Sequence, residues 1–152
     1  MRVVLIILSA TLIFFACSKG DFETKPQIEI KSANPMVVPQ NSNMIVDLDF
    51  RDKEADLADV YIWKVRLNKI VRPTVRDSIP PRPVPEFPKN QKGELELDLQ
   101  YQAHLISAQN PRRNPITGKL EPDTLNMKFV VKDKAGNVSD TAYLNNVVIL
   151  RD

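Results

Sequence analysis

Residues 94–101 read ELELDLQY, and their spacing decides the fold. Leu95, Leu97, Leu99 and Tyr101 alternate with Glu94, Glu96, Asp98 and Gln100. Successive side chains of an extended chain point to opposite faces, so this segment is a strand with one covered, apolar face and one wet, mostly acidic face. The same period recurs on either side. Met44, Val46, Leu48 and Phe50 alternate with Ile45, Asp47, Asp49 and Arg51, and Leu125, Met127, Phe129 and Val131 follow downstream. Ile28 and Ile30 form a short first strand. Over 59–68 the more apolar set is Tyr61, Trp63, Val65 and Leu67, opposed by Lys64, Arg66 and Asn68. That phase predicts Trp63 as the central core residue of its strand.

Between these segments lie the breaks. Pro73, Pro80, Pro81, Pro83, Pro85 and Pro88 crowd residues 73–92. Proline lacks an amide donor, so this stretch is excluded from a central strand, though an edge strand near 74–77 fits. Residues 109–123, with Pro111, Pro115, Gly118 and Pro122, read as a surface loop. A sustained helical period is absent; a turn or two of helix fits 102–109. Residues 133–137, DKAGN, supply turn chemistry before a last apolar stretch over 142–150, which predicts a closing hairpin. The expectation is one all-β domain over 27–152, a two-sheet sandwich of six or seven antiparallel strands.

Residues 129–139, FVVKDKAGNVS, resemble the final hairpin of bacterial immunoglobulin-like and fibronectin type III-like modules. The resemblance implies that sandwich and leaves the ligand open, because such folds host many functions.

The chain begins MRVVLIILSATLIFFACSKGDFE. Arg2 precedes an unbroken apolar or small run to Ala16, shorter than the roughly 20 residues a spanning helix needs, and so reads as a signal peptide over 1–16. Phe14, Phe15, Ala16 and Cys17 resemble a bacterial lipobox, which implies a lipidated Cys17 followed by a tether over 17–26. Asp21, Phe22 and Glu23 are similar to the acidic tags that send lipoproteins to the outer face of the outer membrane in Bacteroidota. The whole resembles the small lipoproteins of that phylum. The expected location is the cell envelope, on an outer-membrane lipoprotein facing either the surface or the periplasm.

Composition narrows function by exclusion. With 21 Lys and Arg against 19 Asp and Glu, and no block of one sign, nucleic acid is not an expected partner. Cys17 is the single cysteine and His104 the single histidine, which excludes disulfides and the common zinc arrangements. No catalytic constellation is visible, and a non-enzyme is expected.

Four candidate features remain. Asp49, Asp52, Glu54 and Asp56 crowd one strand end and the loop after it, and 52–56 resembles the acidic loops of calcium-binding cadherin-like bacterial modules, with Ala55 where those loops place glycine. Calcium ligands and a solvated loop are both open readings; no other cofactor is expected. Ser78, Thr124 and Thr141 each follow an aspartate in the pattern that resembles O-glycosylation sites of exported Bacteroidota proteins. The proline arm over 79–88 and the loop over 109–123 offer Val84, Phe87, Arg112 and Arg113 to a partner, or else the arm covers the domain's own edge. The expected role is a lipid-anchored, non-catalytic binding or accessory module with an envelope-protein partner. The alternative is a glycan-binding surface module, which requires exposed aromatics from Tyr61, Tyr143 and Phe87.

Overall fold

A computed structural model describes residues 24–68 and 73–152. The readings of 1–16 as a signal peptide and of Cys17 as a lipidation site lie outside the described residues.

Among the described residues eight strands form two sheets, one above the six or seven expected. In chain order they are β1 (Gln27–Asn34), β2 (Val37–Val38), β3 (Met44–Arg51), β4 (Leu57–Arg66), β5 (Ser78–Pro83), β6 (Lys92–Leu99), β7 (Asp123–Asp133) and β8 (Ala142–Ile149). One sheet has the order β1-β3-β6 and the other β2-β8-β7-β4-β5. All pairs are antiparallel except the two-residue β2, which runs parallel to β8. The inward apolar positions of β3, β6 and β7 are buried as their alternation requires, Leu95 only partly and Met44, Leu48, Leu99, Leu125, Met127 and Phe129 fully. Polar and charged residues hold most of the alternate positions, so each of these strands presents one wetter face. A single helical turn, Tyr101–Leu105, follows β6, and the Tyr101 hydroxyl donates to the Leu150 carbonyl at 2.6 Å.

Two expectations are corrected. The edge strand lies at 78–83, after the 74–77 segment: Ser78 and Ile79 pair with Trp63 and Ile62, and Arg82 and Pro83 with Val60 and Asp59. Pro80 and Pro81 fall at the slip in register between Val60 and Ile62, where a missing amide costs no ladder bond. The second correction concerns the phase of β4. Val60 and Ile62 are buried, Lys64 is buried after them, and Trp63 is 41% exposed. The inward side of β4 is thus the one that carries two cations at its end. Both are satisfied there: Lys64 Nζ donates to the His104 carbonyl, and Arg66 Nε lies 2.7 Å from Asp123 Oδ1.

The registers place β-strand ends consistently. Gln27, Arg51, Lys92, Leu57, Asp133 and Ala142 lie at one end of the sandwich, and Asn34, Met44, Leu99, Arg66, Asp123 and Ile149 at the other. The chain enters at the first end, where Lys25 pairs with Asp140 at 2.5 Å.

Candidate functional site

The outer face of the five-stranded sheet carries the residues that the β4 phase turns outward. Across the strands, Ser78, Trp63, Lys128 and Tyr143 are paired in register, β5 to β4 to β7 to β8. Trp63 stacks on Tyr61, two residues along the same strand, with ring centroids 5.9 Å apart and planes 14° from parallel. Lys128 Nζ sits 5.8 Å from the centroid of the Tyr143 ring, which is 58% exposed. Val65 extends the apolar line along β4 and Leu67 follows just past the end of the strand, each nearly half exposed. Three consecutive outward positions of β4, Tyr61, Trp63 and Val65, are therefore aromatic or aliphatic, on a face where solvated strands ordinarily carry polar groups.

At the entry end a second group forms. Asp52, fully buried, follows β3; Asp56 precedes β4; Asp133 ends β7. Each offers a carboxylate oxygen, and these oxygens lie within 4.8 Å of one another. Ala55, at φ 53°, turns the loop so that the Asp56 amide donates to Asp52 Oδ2 at 2.8 Å. Lys134 N donates to the Asp56 carbonyl at 3.0 Å, fastening the loop to the β7–β8 hairpin. Asp133 accepts from the Asn137 amide and side chain, both at 2.7 Å. Burial pushes the Asp52 carboxyl up; the Asp56 amide opposes this, and the charges of Asp56, Asp133 and Glu54 add to it.

Of the four acids that the sequence singles out, the structure brings Asp52 and Asp56 together. Asp49 stands exposed on β3 between Glu29 and Glu94, and Glu54 is exposed on the loop. Asp133 joins the pair without a signal in the local sequence. Its place follows only once β4 is paired with β7, which sets Leu57 opposite Asp133.

The other sequence candidates lie apart. Ser78 is exposed at the start of β5, beside Trp63. Thr124 is half-buried and the Asp123 before it is fully buried, while Thr141 is half-buried beside the exposed Asp140. Val84 and Phe87 pack on the domain's own core: the Val84 amide donates to Ala58 at 2.7 Å, and the Phe87 ring meets Phe50 edge-on at 5.3 Å. Arg112 and Arg113 are exposed on the loop, at the end opposite the chain entry. There Arg113 donates to Gly118 O at 2.8 Å, and Ile116 at the tip is 92% exposed. His104 is half-buried, its Nδ1 accepting from the Gln100 amide at 2.9 Å. Burial, then the charges of Arg82 and Lys64, pushes its pKa below the usual imidazole range.

No protein-family model and no curated protein matches the chain. Among the described residues no helix is long and apolar enough to cross a membrane.

Proposed function

We infer that this chain is an outer-membrane lipoprotein of the cell envelope that acts as a non-catalytic, protein-binding or accessory module of a membrane-associated assembly. The observation that carries the reading is the apolar pair Trp63 and Val65 on the outer sheet face, continued by Leu67 just past the strand end, each more than 40% exposed. An apolar line on the solvent side of a sheet lowers solubility and contributes nothing to the core, so its use is contact with another surface. The lipid on Cys17 supplies the anchor in this reading. The strand orders β1-β3-β6 and β8-β7-β4-β5 support an immunoglobulin-like or fibronectin type III-like sandwich. Ser78 is the most accessible of the three glycosylation candidates.

The test is a comparison of membrane-extracted wild-type chain with the Trp63→Ser, Leu67→Ser double variant. A stoichiometric partner that is retained by the first and lost by the second is expected. Equal recovery of partners by both would mean that the outer face is not the contact surface.

A second reading, a glycan-binding module, is favoured by the Tyr61–Trp63 stack and by Tyr143 beside Lys128. Flat aromatic faces bind sugar rings, and the amphipathic rings need only partial exposure to do so. Trp63 is the chain's single tryptophan, so its fluorescence reports directly on this face. Saturable quenching by a purified envelope polysaccharide would favour the glycan over the protein partner.

A further inference from the structure

We propose that Asp52, Asp56 and Asp133 form a calcium site that ties the β3–β4 loop to the end of β7. The cluster alone would be only a crowd of acids. What gives it direction is the Asp52 side chain, 1% exposed, whose Oδ2 takes the Asp56 amide while its Oδ1 is buried without a hydrogen-bond partner. Asp56 Oδ1 is likewise buried and without a partner. A buried carboxylate oxygen lacking a donor is costly, and two of them beside a third carboxylate are costlier still. A divalent cation removes all three penalties at once. It supplies the positive charge that keeps the carboxyls ionised and occupies the lone pairs that no N–H reaches.

The ligand set favours calcium. Its three carboxylates come from three separate segments, and calcium accepts such irregular, flexible shells of oxygen ligands, whereas magnesium demands near-ideal octahedral geometry and gives up its waters reluctantly. The ligands are all oxygen, the hard-ion preference, and half-exposed Asp56 leaves one side where water completes the shell. Asp133 has both oxygens on Asn137, but each keeps a second lone pair. The ion would therefore join residues far apart in sequence, fastening the β3–β4 loop, beside the chain entry, to the hairpin of the larger sheet.

The test is thermal unfolding of the purified full chain in EDTA, in 5 mM calcium chloride and in 5 mM magnesium chloride. Calcium is expected to raise Tm by about 5 °C or more when it is present at a hundred times its Kd, with magnesium giving less than half of that. Asp133→Asn and Asp56→Asn should each abolish most of the calcium shift. Asp56→Asn keeps the Asn137 turn intact and serves if Asp133→Asn fails to fold. Glu54→Gln and Asp49→Asn should keep the shift. Identical wild-type Tm in EDTA and calcium, an equal response to magnesium, or a full calcium shift in Asp56→Asn would each overturn the proposal.

Discussion

Arg66 and Asp123 meet at 2.7 Å at the end of the sandwich opposite the chain entry, and the carboxylate is fully buried. Thr74 Oγ1 also donates to it at 2.6 Å, and Arg151 stands 3.6 Å from its other oxygen while donating to the carbonyls of Thr74 and Gln109. One carboxylate thus gathers β4, β7, the segment before β5 and the chain end. Asp123→Asn should leave buried guanidinium charge uncompensated, at a cost of about 3–5 kcal/mol in urea unfolding. A loss below about 1 kcal/mol would mean that this end holds together without the acid.

The phase of β4 makes a paired prediction. Ile62→Ala, at a fully buried position, should cost about 2–5 kcal/mol, whereas Trp63→Ala should cost about 1 kcal/mol, chiefly the lost stack on Tyr61. The comparison is made in denaturant titrations of both variants. Equal costs would restore the opposite phase.

Burial, then the nearby Arg76 charge, pulls the Lys64 amine down to about 8, with Asp77 opposing. The unfolded chain holds this proton up to its ordinary value of 10.5, so between pH 8 and 10.5 the unfolded state binds more protons than the folded one. Stability contributed by this group therefore rises with pH across that window, and the charged amine is a burden below it. Lys64→Met should flatten the rise. The quantity to follow is the wild-type-minus-variant difference in urea midpoint at pH 7.5 and pH 10, because other groups titrate in the same range.

At Gly93 a Cβ would stand 2.6 Å from Cε1 of Phe50, whose ring is held edge-on by Phe87. Gly93→Ala should cost about 1–3 kcal/mol as the ring is forced aside. Combined with Phe87→Ala, which gives the ring room, the loss should be smaller than the sum of the two single changes. Strict additivity in Tm or urea midpoint would show that the ring yields without help from Phe87.

Much of this was legible in the sequence. Period-two spacing marks β3, β6 and β7 with the correct face inward, because each has one apolar set and one polar set. The DKAGN turn joins β7 to β8 as its chemistry predicts, with Gly136 at φ 96° and its amide on the Asp133 carbonyl at 3.2 Å. The phase of β4 was not legible, because hydrophobicity ranks Trp63 above Lys64 and says nothing of the His104 carbonyl that accepts from the lysine. The same missing long-range pairing hid Asp133 from the acidic loop. It also concealed the aromatic face, since exposure of Trp63 depends on which side of β4 the second sheet covers.

The parallel pair β2–β8 gives the sandwich a mechanical grain. The Val148 amide donates to Met36 and the Leu150 amide to Val38, each at 2.9 Å, and Gln27 and Ile149 lie at opposite ends of the fold. Tension applied between Lys25 and Asp152 would run along these strands, loading the bonds of the pair together in shear rather than opening them one by one. Single-molecule pulling from these two points should show one sharp rupture, lost in Val38→Pro, which would disturb the β2–β8 pair without touching the Trp63 face. A sandwich built in this way resists a pull along its strands more than a pull across them.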